Sequence, residues 1–133
     1  MTSIFSKIVK GEIPAYKVAE NEKFLAFLDI NPLAEGHTLV IPKQQTDYIF
    51  DIDDITIGEF FIFAKKVAIA IEKTIPCKRI GVTVIGLEVP HAHIHLIPLH
   101  SLYDMDFKRK KLHFSPEAFE KIASAIRTNF YAK

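Results

Sequence analysis

Apolar residues recur along this chain with two periods, and the change from one to the other marks the elements. Ile4, Phe5, Ile8 and Val9 make one helical stripe behind Thr2 or Ser3, either of which can cap it, and Gly11 can end it. Pro14 then forces an extended or turn conformation. Residues 16–19 and 24–28 read as two strands around the turn Glu20-Asn21-Glu22. Asp29-Ile30-Asn31-Pro32 breaks the pattern, and His37-Thr38-Leu39-Val40-Ile41 is a β-prone run stopped by Pro42.

The period then lengthens. Asp53 or Asp54 can cap a long helix whose apolar positions Ile57, Phe60, Phe61, Ala64, Val67, Ala68, Ile71 and Ile75 recur at three and four residues, with Pro76 just beyond. These phenylalanines are expected in the core, and burying that face is expected to be the largest single contribution to it. Residues 80–85 and 93–99 are the last two strand candidates, separated by a turn at Gly86. Ser115-Pro116 starts a C-terminal helix with the stripe Phe119, Ile122, Ala123, Ile126 and Phe130. The order predicts an α+β fold: a mainly antiparallel five-stranded sheet, one long central helix and short terminal helices, in a single domain spanning residues 1–133.

Charge and composition exclude more than they suggest. Lys and Arg number 17 against 16 Asp and Glu, so the net charge of +1 offers nothing to bulk nucleic acid. The basic run Lys108-Arg109-Lys110-Lys111 reads as a solvated loop. The single cysteine, Cys77, rules out an internal disulfide and fits a reducing compartment. No apolar run reaches the roughly 18 residues that span a bilayer. The N-terminus lacks the pattern of a secretory signal, so a cytoplasmic address is expected.

The densest chemistry lies in Val89-Pro90-His91-Ala92-His93-Ile94-His95-Leu96-Ile97-Pro98, which holds half of the six histidines. At period two, a strand would send all three imidazoles to one face and Ala92, Ile94 and Leu96 to the other. Two readings compete on these residues alone. Neutral imidazoles on one face can bind a divalent metal. Equally, one ring can be a nucleophile that its neighbours orient.

Four blocks, in order, resemble the histidine triad family, in its branch of small nucleotide-binding homodimers. They are Ile4-Phe5-Ser6-Lys7-Ile8-Val9-Lys10-Gly11-Glu12-Ile13-Pro14-Ala15, then Phe24-Leu25-Ala26-Phe27-Leu28-Asp29-Ile30-Asn31-Pro32, then Gly36-His37-Thr38-Leu39-Val40-Ile41-Pro42-Lys43, and the three-histidine motif itself. The resemblance implies attack on the α-phosphorus of a purine nucleoside phosphoramidate or dinucleoside polyphosphate, with no cofactor and no metal. By position, His93 is the nucleophile, His95 bonds a phosphate oxygen, His91 orients His93, and His37 supports the cluster. Asp29 matches the carboxylate that accepts from the ribose hydroxyls, and Phe5, Ile8, Ile13, Phe27 and Ile30 match the apolar slot for the base. The resemblance also implies a homodimer that pairs an edge strand and the central helix across a twofold axis. A binding module with little turnover and a metal-dependent hydrolase remain the alternatives.

The chain departs from the family in three places, one of them Leu99-His100, where relatives often have arginine after the proline. The loop before the triad is shortened, and Leu87 and Glu88 stand where relatives carry polar phosphate contacts, so Glu88 is expected beside the substrate and its charge is expected to alter the leaving-group preference. Some bacterial relatives have a Cys-x-x-Cys pair in the first block that helps to bind structural zinc. Ser3 and Ser6 stand there in this chain, and no structural zinc is expected.

Overall fold

The computed structural model of the protein describes residues 1–132. Helix α1 (Ile4–Val9) is followed by strands β1 (Lys17–Glu20), β2 (Phe24–Leu28) and β3 (Thr38–Pro42), the long helix α2 (Asp54–Thr74), strands β4 (Arg79–Thr83) and β5 (Ile94–Leu99), and helix α3 (Pro116–Tyr131). Short 3-10 turns lie at Ile49–Asp51 and Leu102–Met105. The five strands form one antiparallel sheet in the order β1-β2-β3-β5-β4. The α+β architecture with its five-stranded antiparallel sheet is the one expected. The C-terminal helix, expected to be short, runs 16 residues from a Ser115 cap that accepts from the Ala118 N–H.

Both faces of the sheet are covered, which is why β2 and β3 are buried at every position. Phe24, Ala26, Leu28, Val40, Ile94 and Leu96 face one core with α2 and α3. Leu25, Phe27, Leu39 and Ile41 face the other way, against Phe5 and Ile8 of α1. The strand period of two thus separates a large structural core from a smaller layer under α1. His95 alternates with Ile94 and Leu96, so it falls on the α1 side.

Asp53 caps α2 by accepting from the Thr56 N–H, and Phe60 stacks on Phe24 with ring centres 5.3 Å apart. The buried stripe runs through Phe60, Phe63, Ala64, Val67, Ala70 and Ile71. Phe61, expected in the core, is instead 43% exposed. One residue turns the helix by about 100°, so Phe61 cannot share the line that Phe60 and Phe63 direct at the sheet.

The strand expected over residues 93–99 is found one residue shorter, and the period-two geometry does not extend to the whole triad. Strand β5 begins at Ile94, so His91 and His93 precede the strand, and His95 alone lies within it. Backbone bonds divert the chain there: His91 N–H donates to the Val89 carbonyl at 2.8 Å and Ala92 N–H to the Thr46 carbonyl at 2.6 Å. The backbone of residues 91–92 is therefore bonded to Val89 and to the loop after β3 and is not laddered to a neighbouring strand. Likewise β4 stops at Thr83, and Val84 and Ile85 lie outside the sheet. No helix among the described residues is long and apolar enough to cross a membrane.

Candidate active site

Four buried imidazoles collect on the α1 side of the sheet, and the backbone decides where each keeps its proton. His93 Nδ1 lies 2.7 Å from the His91 carbonyl, which can only accept, so Nδ1 carries the hydrogen and, in the neutral ring, Nε2 is a bare lone pair. His91 Nε2 lies 2.7 Å from the Pro42 carbonyl and must donate, which makes its Nδ1 the acceptor for the Ser3 hydroxyl at 2.7 Å. His37 Nδ1 accepts from the Leu33 N–H at 3.0 Å, so its proton is on Nε2. That proton is donated to His95 Nδ1 at 3.0 Å, which leaves His95 with an Nε2–H.

Among the described residues neither His93 Nε2 nor His95 Nε2 has a hydrogen-bond partner, and no unpartnered side-chain nitrogen or oxygen is sealed from solvent. The two rings, 5.0 Å apart between centres, therefore offer one lone pair and one N–H to whatever enters. This pairing of a nucleophilic nitrogen with a neutral donor is the chemical content of the site.

Asp29 stands at the edge of this cluster. Its Oδ1 accepts from the Asn31 N–H at 2.8 Å, and its Oδ2 lies 3.6 Å from His37 Nε2. Burial raises the carboxyl above its ordinary value, opposed by the Asn31 N–H and by the neighbouring His93 and Lys111. Phe5 packs edge-on against His93 at 5.1 Å and against Phe27 at 5.5 Å, and Ile8 and Ile13 join the same apolar layer. Ile30 is not brought into that layer; it is 64% exposed. Glu88 is exposed and makes no hydrogen bond or ion pair with any described residue.

Two residues near the histidines escaped the sequence reading. Phe107 meets the His95 ring edge-on at 4.9 Å and His37 at 6.3 Å. Lys111, read as part of a solvated basic loop, folds back instead. Its ammonium donates to the Phe107 carbonyl and bears electrostatically on Asp29 and His37. The Leu112 N–H, donated to the Pro32 carbonyl at 2.9 Å, docks this loop against the turn that carries Asp29. A composition of four basic residues gave no sign that the last would turn inward.

Metal chemistry fits these donors poorly. The triad histidines do not converge; among the described residues Asp29, His37 and His95 make the one group whose ligand atoms lie within 4.8 Å of one another. Both nitrogens of His37 are already committed, so ligation there would need the ring to flip and strand the buried Leu33 N–H. Ser3 and Ser6, at the places of the relatives' zinc-binding cysteines, present hydroxyls already bonded to His91 and Gln45. That set does not fit zinc either.

Burial holds His37 down to about 3 and His95 down to about 4, and it lowers His91 as well. The unfolded chain, with imidazoles near 6.5, binds protons that the folded protein refuses. Stability is therefore full above pH 6.5 and declines as the pH falls toward 4, by about 1.4 kcal/mol per pH unit for each such imidazole. Urea unfolding between pH 7.5 and 4.5 measures this. A flat profile would show that these rings are not held neutral.

Known proteins are similar to this chain in sequence and fold. The HIT domain model matches residues 10–102. An adenosine 5'-monophosphoramidase of Schizosaccharomyces pombe is 36% identical over 95% of this chain and 96% of its own length. A HIT-like protein of Bartonella henselae superposes with a TM-score of 0.82 at 32% identity, covering 96% of this chain and 95% of that one. A zinc-bound histidine triad protein of Mycobacterium smegmatis has a TM-score of 0.81 at 28% identity, covering 98% and 94%. With its four histidines, its sheet and these likenesses, the chain belongs to the HIT domain family.

Proposed function

We propose that the protein is a nucleotidyl hydrolase or transferase acting at the α-phosphate of purine nucleoside phosphoramidates, and more weakly of dinucleoside polyphosphates. The observation that carries this reading is the bare Nε2 of His93, fixed by the His91 carbonyl at 2.7 Å beside the free N–H of His95. A relative that covers nearly the whole chain is an adenosine 5'-monophosphoramidase, which supports the same substrate class.

His93 Nε2 attacks the α-phosphorus while the bond to the leaving amine breaks. The electron pair goes to the amine nitrogen, which takes a proton from solvent. The nucleotidyl-imidazolium keeps its Nδ1–H on the His91 carbonyl. Water then attacks phosphorus, returns the electron pair to His93 Nε2 and releases a proton, giving the nucleoside monophosphate. His95 is neutral throughout and acts as a hydrogen-bond donor to a phosphate oxygen, because giving up its last proton would leave an imidazolate. Asp29 accepts from the ribose hydroxyls, and Phe5, Ile8, Ile13 and Phe27 hold the base, with Ile30 at the exposed rim. An apolar slot of this kind tolerates several purines. No metal or cofactor enters the scheme.

The same reading includes a homodimer and a cytoplasmic setting. Strand β4 is a sheet edge with Val82 53% exposed, while Phe61, Ile62 and Ile69 of α2 are exposed apolar residues. Such an edge and face are what a twofold partner would cover.

Three outcomes are expected. His93→Ala abolishes nucleotidyl-adduct formation, seen by mass spectrometry, and lowers phosphoramidate hydrolysis by roughly a thousandfold or more; surviving turnover would refute the mechanism. Glu88→Gln raises hydrolysis of dinucleoside polyphosphates relative to phosphoramidates by about three- to tenfold, as removal of one solvated like charge allows. An unchanged ratio would mean that Glu88 does not meet the leaving group. The wild type sediments at twice the chain mass and Val82→Glu at once that mass, whereas a dimeric variant would exclude β4 as the interface.

A further inference from the structure

A second polar cluster lies beside His93, around the His91 ring. Ser3, Ser6 and His91 are buried, at 3%, 7% and 0% exposure. Because His91 Nε2–H is committed to the Pro42 carbonyl, the Ser3 hydroxyl has to donate to His91 Nδ1, and its oxygen accepts from the Ser6 N–H at 2.9 Å. Gln45 Oε1 accepts from the Ser3 N–H and from the Ser6 hydroxyl, each at 2.8 Å. Gln45 Nε2 donates to the Met1 carbonyl at 2.8 Å and to the Pro90 carbonyl at 3.2 Å. These partners are mutually consistent, so the cluster has one proton arrangement and resists rearrangement.

We propose that Ser3 and Gln45 are positioning residues for the nucleophile, forming a latch that joins the N-terminal helix to the loop carrying His91 and His93. The inference rests on His93 being the nucleophile. The latch fixes the peptide that His93 depends on. Gln45 holds the Pro90 carbonyl on one side, the Thr46 carbonyl holds the Ala92 N–H on the other, and Ser3 clamps the His91 ring between them. The His91 carbonyl in this bracket is the group that keeps the His93 proton on Nδ1. Without it, His93 could turn or move its proton to Nε2, and the lone pair would be lost. The latch also ties Phe5, which touches the His93 ring, to the same unit through the first turn of α1. Docking of the base against α1 and aim of the nucleophile thus share one set of hydrogen bonds, and they do so without adding charge to the site.

Ser3→Ala, Ser3→Thr and Gln45→Met test this, read by the ring nitrogen chemical shifts of His91 and His93 in substrate-free protein and by single-turnover kinetics with an adenosine phosphoramidate. Ser3→Ala is expected to slow formation of the His93 adduct about ten- to a hundredfold, with KM within about threefold, because misplacement of a reacting group costs on that scale. Its His93 ring signals are expected to leave the Nδ1–H pattern. Ser3→Thr keeps the hydroxyl and restores both rate and signals, which a merely structural defect would not require. Gln45→Met moves both readouts in the same direction, and it decides the matter if Ser3→Ala does not fold. Ring signals and adduct rate unchanged in a folded variant would overturn the latch. Absence of any adduct in the wild type would instead overturn the proposed reaction, and the ring signals would still decide whether the latch sets the tautomer.

Discussion

A neutral imidazole has two nitrogens and one proton, and the site depends on which nitrogen keeps it. Here that choice is made by the main chain. Two carbonyls, of Pro42 and His91, and one N–H, of Leu33, face ring nitrogens at 2.7, 2.7 and 3.0 Å. Carbonyls accept and N–H groups donate, so three rings have no freedom, and the fourth, His95, follows from His37. The arrangement costs little to maintain because the sheet and its loops already hold those peptides in place. It also needs no neighbouring charge, which is consistent with burial pushing His37 and His95 far below the ordinary histidine range.

The sheet supplies the platform through alternation. In β5 the residues on either side of His95 pack into the large core, so the ring is carried on the opposite face by a strand that cannot slip without exposing Ile94 and Leu96. Leu39 of β3 lies beside His95 in the register, and His37 sits one residue ahead of β3, within reach of the same ring. Helix α1 then closes this face with Phe5 and Ile8. The apolar layer and the histidine cluster adjoin each other on this side of the sheet, with Phe5 in edge-on contact with His93.

Period and caps made most elements legible in the sequence. The alternation in residues 24–28, the Asp53 cap and the Ser115-Pro116 start each act over a few neighbours and need no knowledge of the rest. Phe61 was misread because a stripe of threes and fours admits two adjacent lines, and only the sheet selects one. Period two continues through His91, yet the strand expected over 93–99 begins at Ile94, and the bonds that divert the segment before it come from Thr46 and Val89. The site was legible as a set of residue types and much less so as chemistry. His37 and His95 are 58 positions apart, and the groups that fix the tautomers are backbone atoms of Leu33, Pro42 and His91, which carry no signature of their own. Lys111 and Phe107 were hidden for a related reason: a loop that folds inward has the composition of one that does not.

The balance of charge around the cluster bears on the proposed reaction. Burial favours the neutral form of His37, His91 and His95, Asp29 is a partly buried carboxyl, and Glu88 stands exposed on the loop before the triad. Against these, Lys111 is the cation that bears on Asp29 and His37, and its ammonium is turned toward loop carbonyls. In the proposed reaction a dinucleoside polyphosphate brings more negative charge to this cluster than a phosphoramidate does, which supports its place as the weaker substrate. A nucleoside phosphoramidate brings a single negative charge at phosphorus and a leaving amine that carries none. Neutral N–H donors suffice for that charge, and their hydrogen bonds require no counter-ion to be displaced. In the proposed reaction this balance of charge supports the amine as the preferred leaving group.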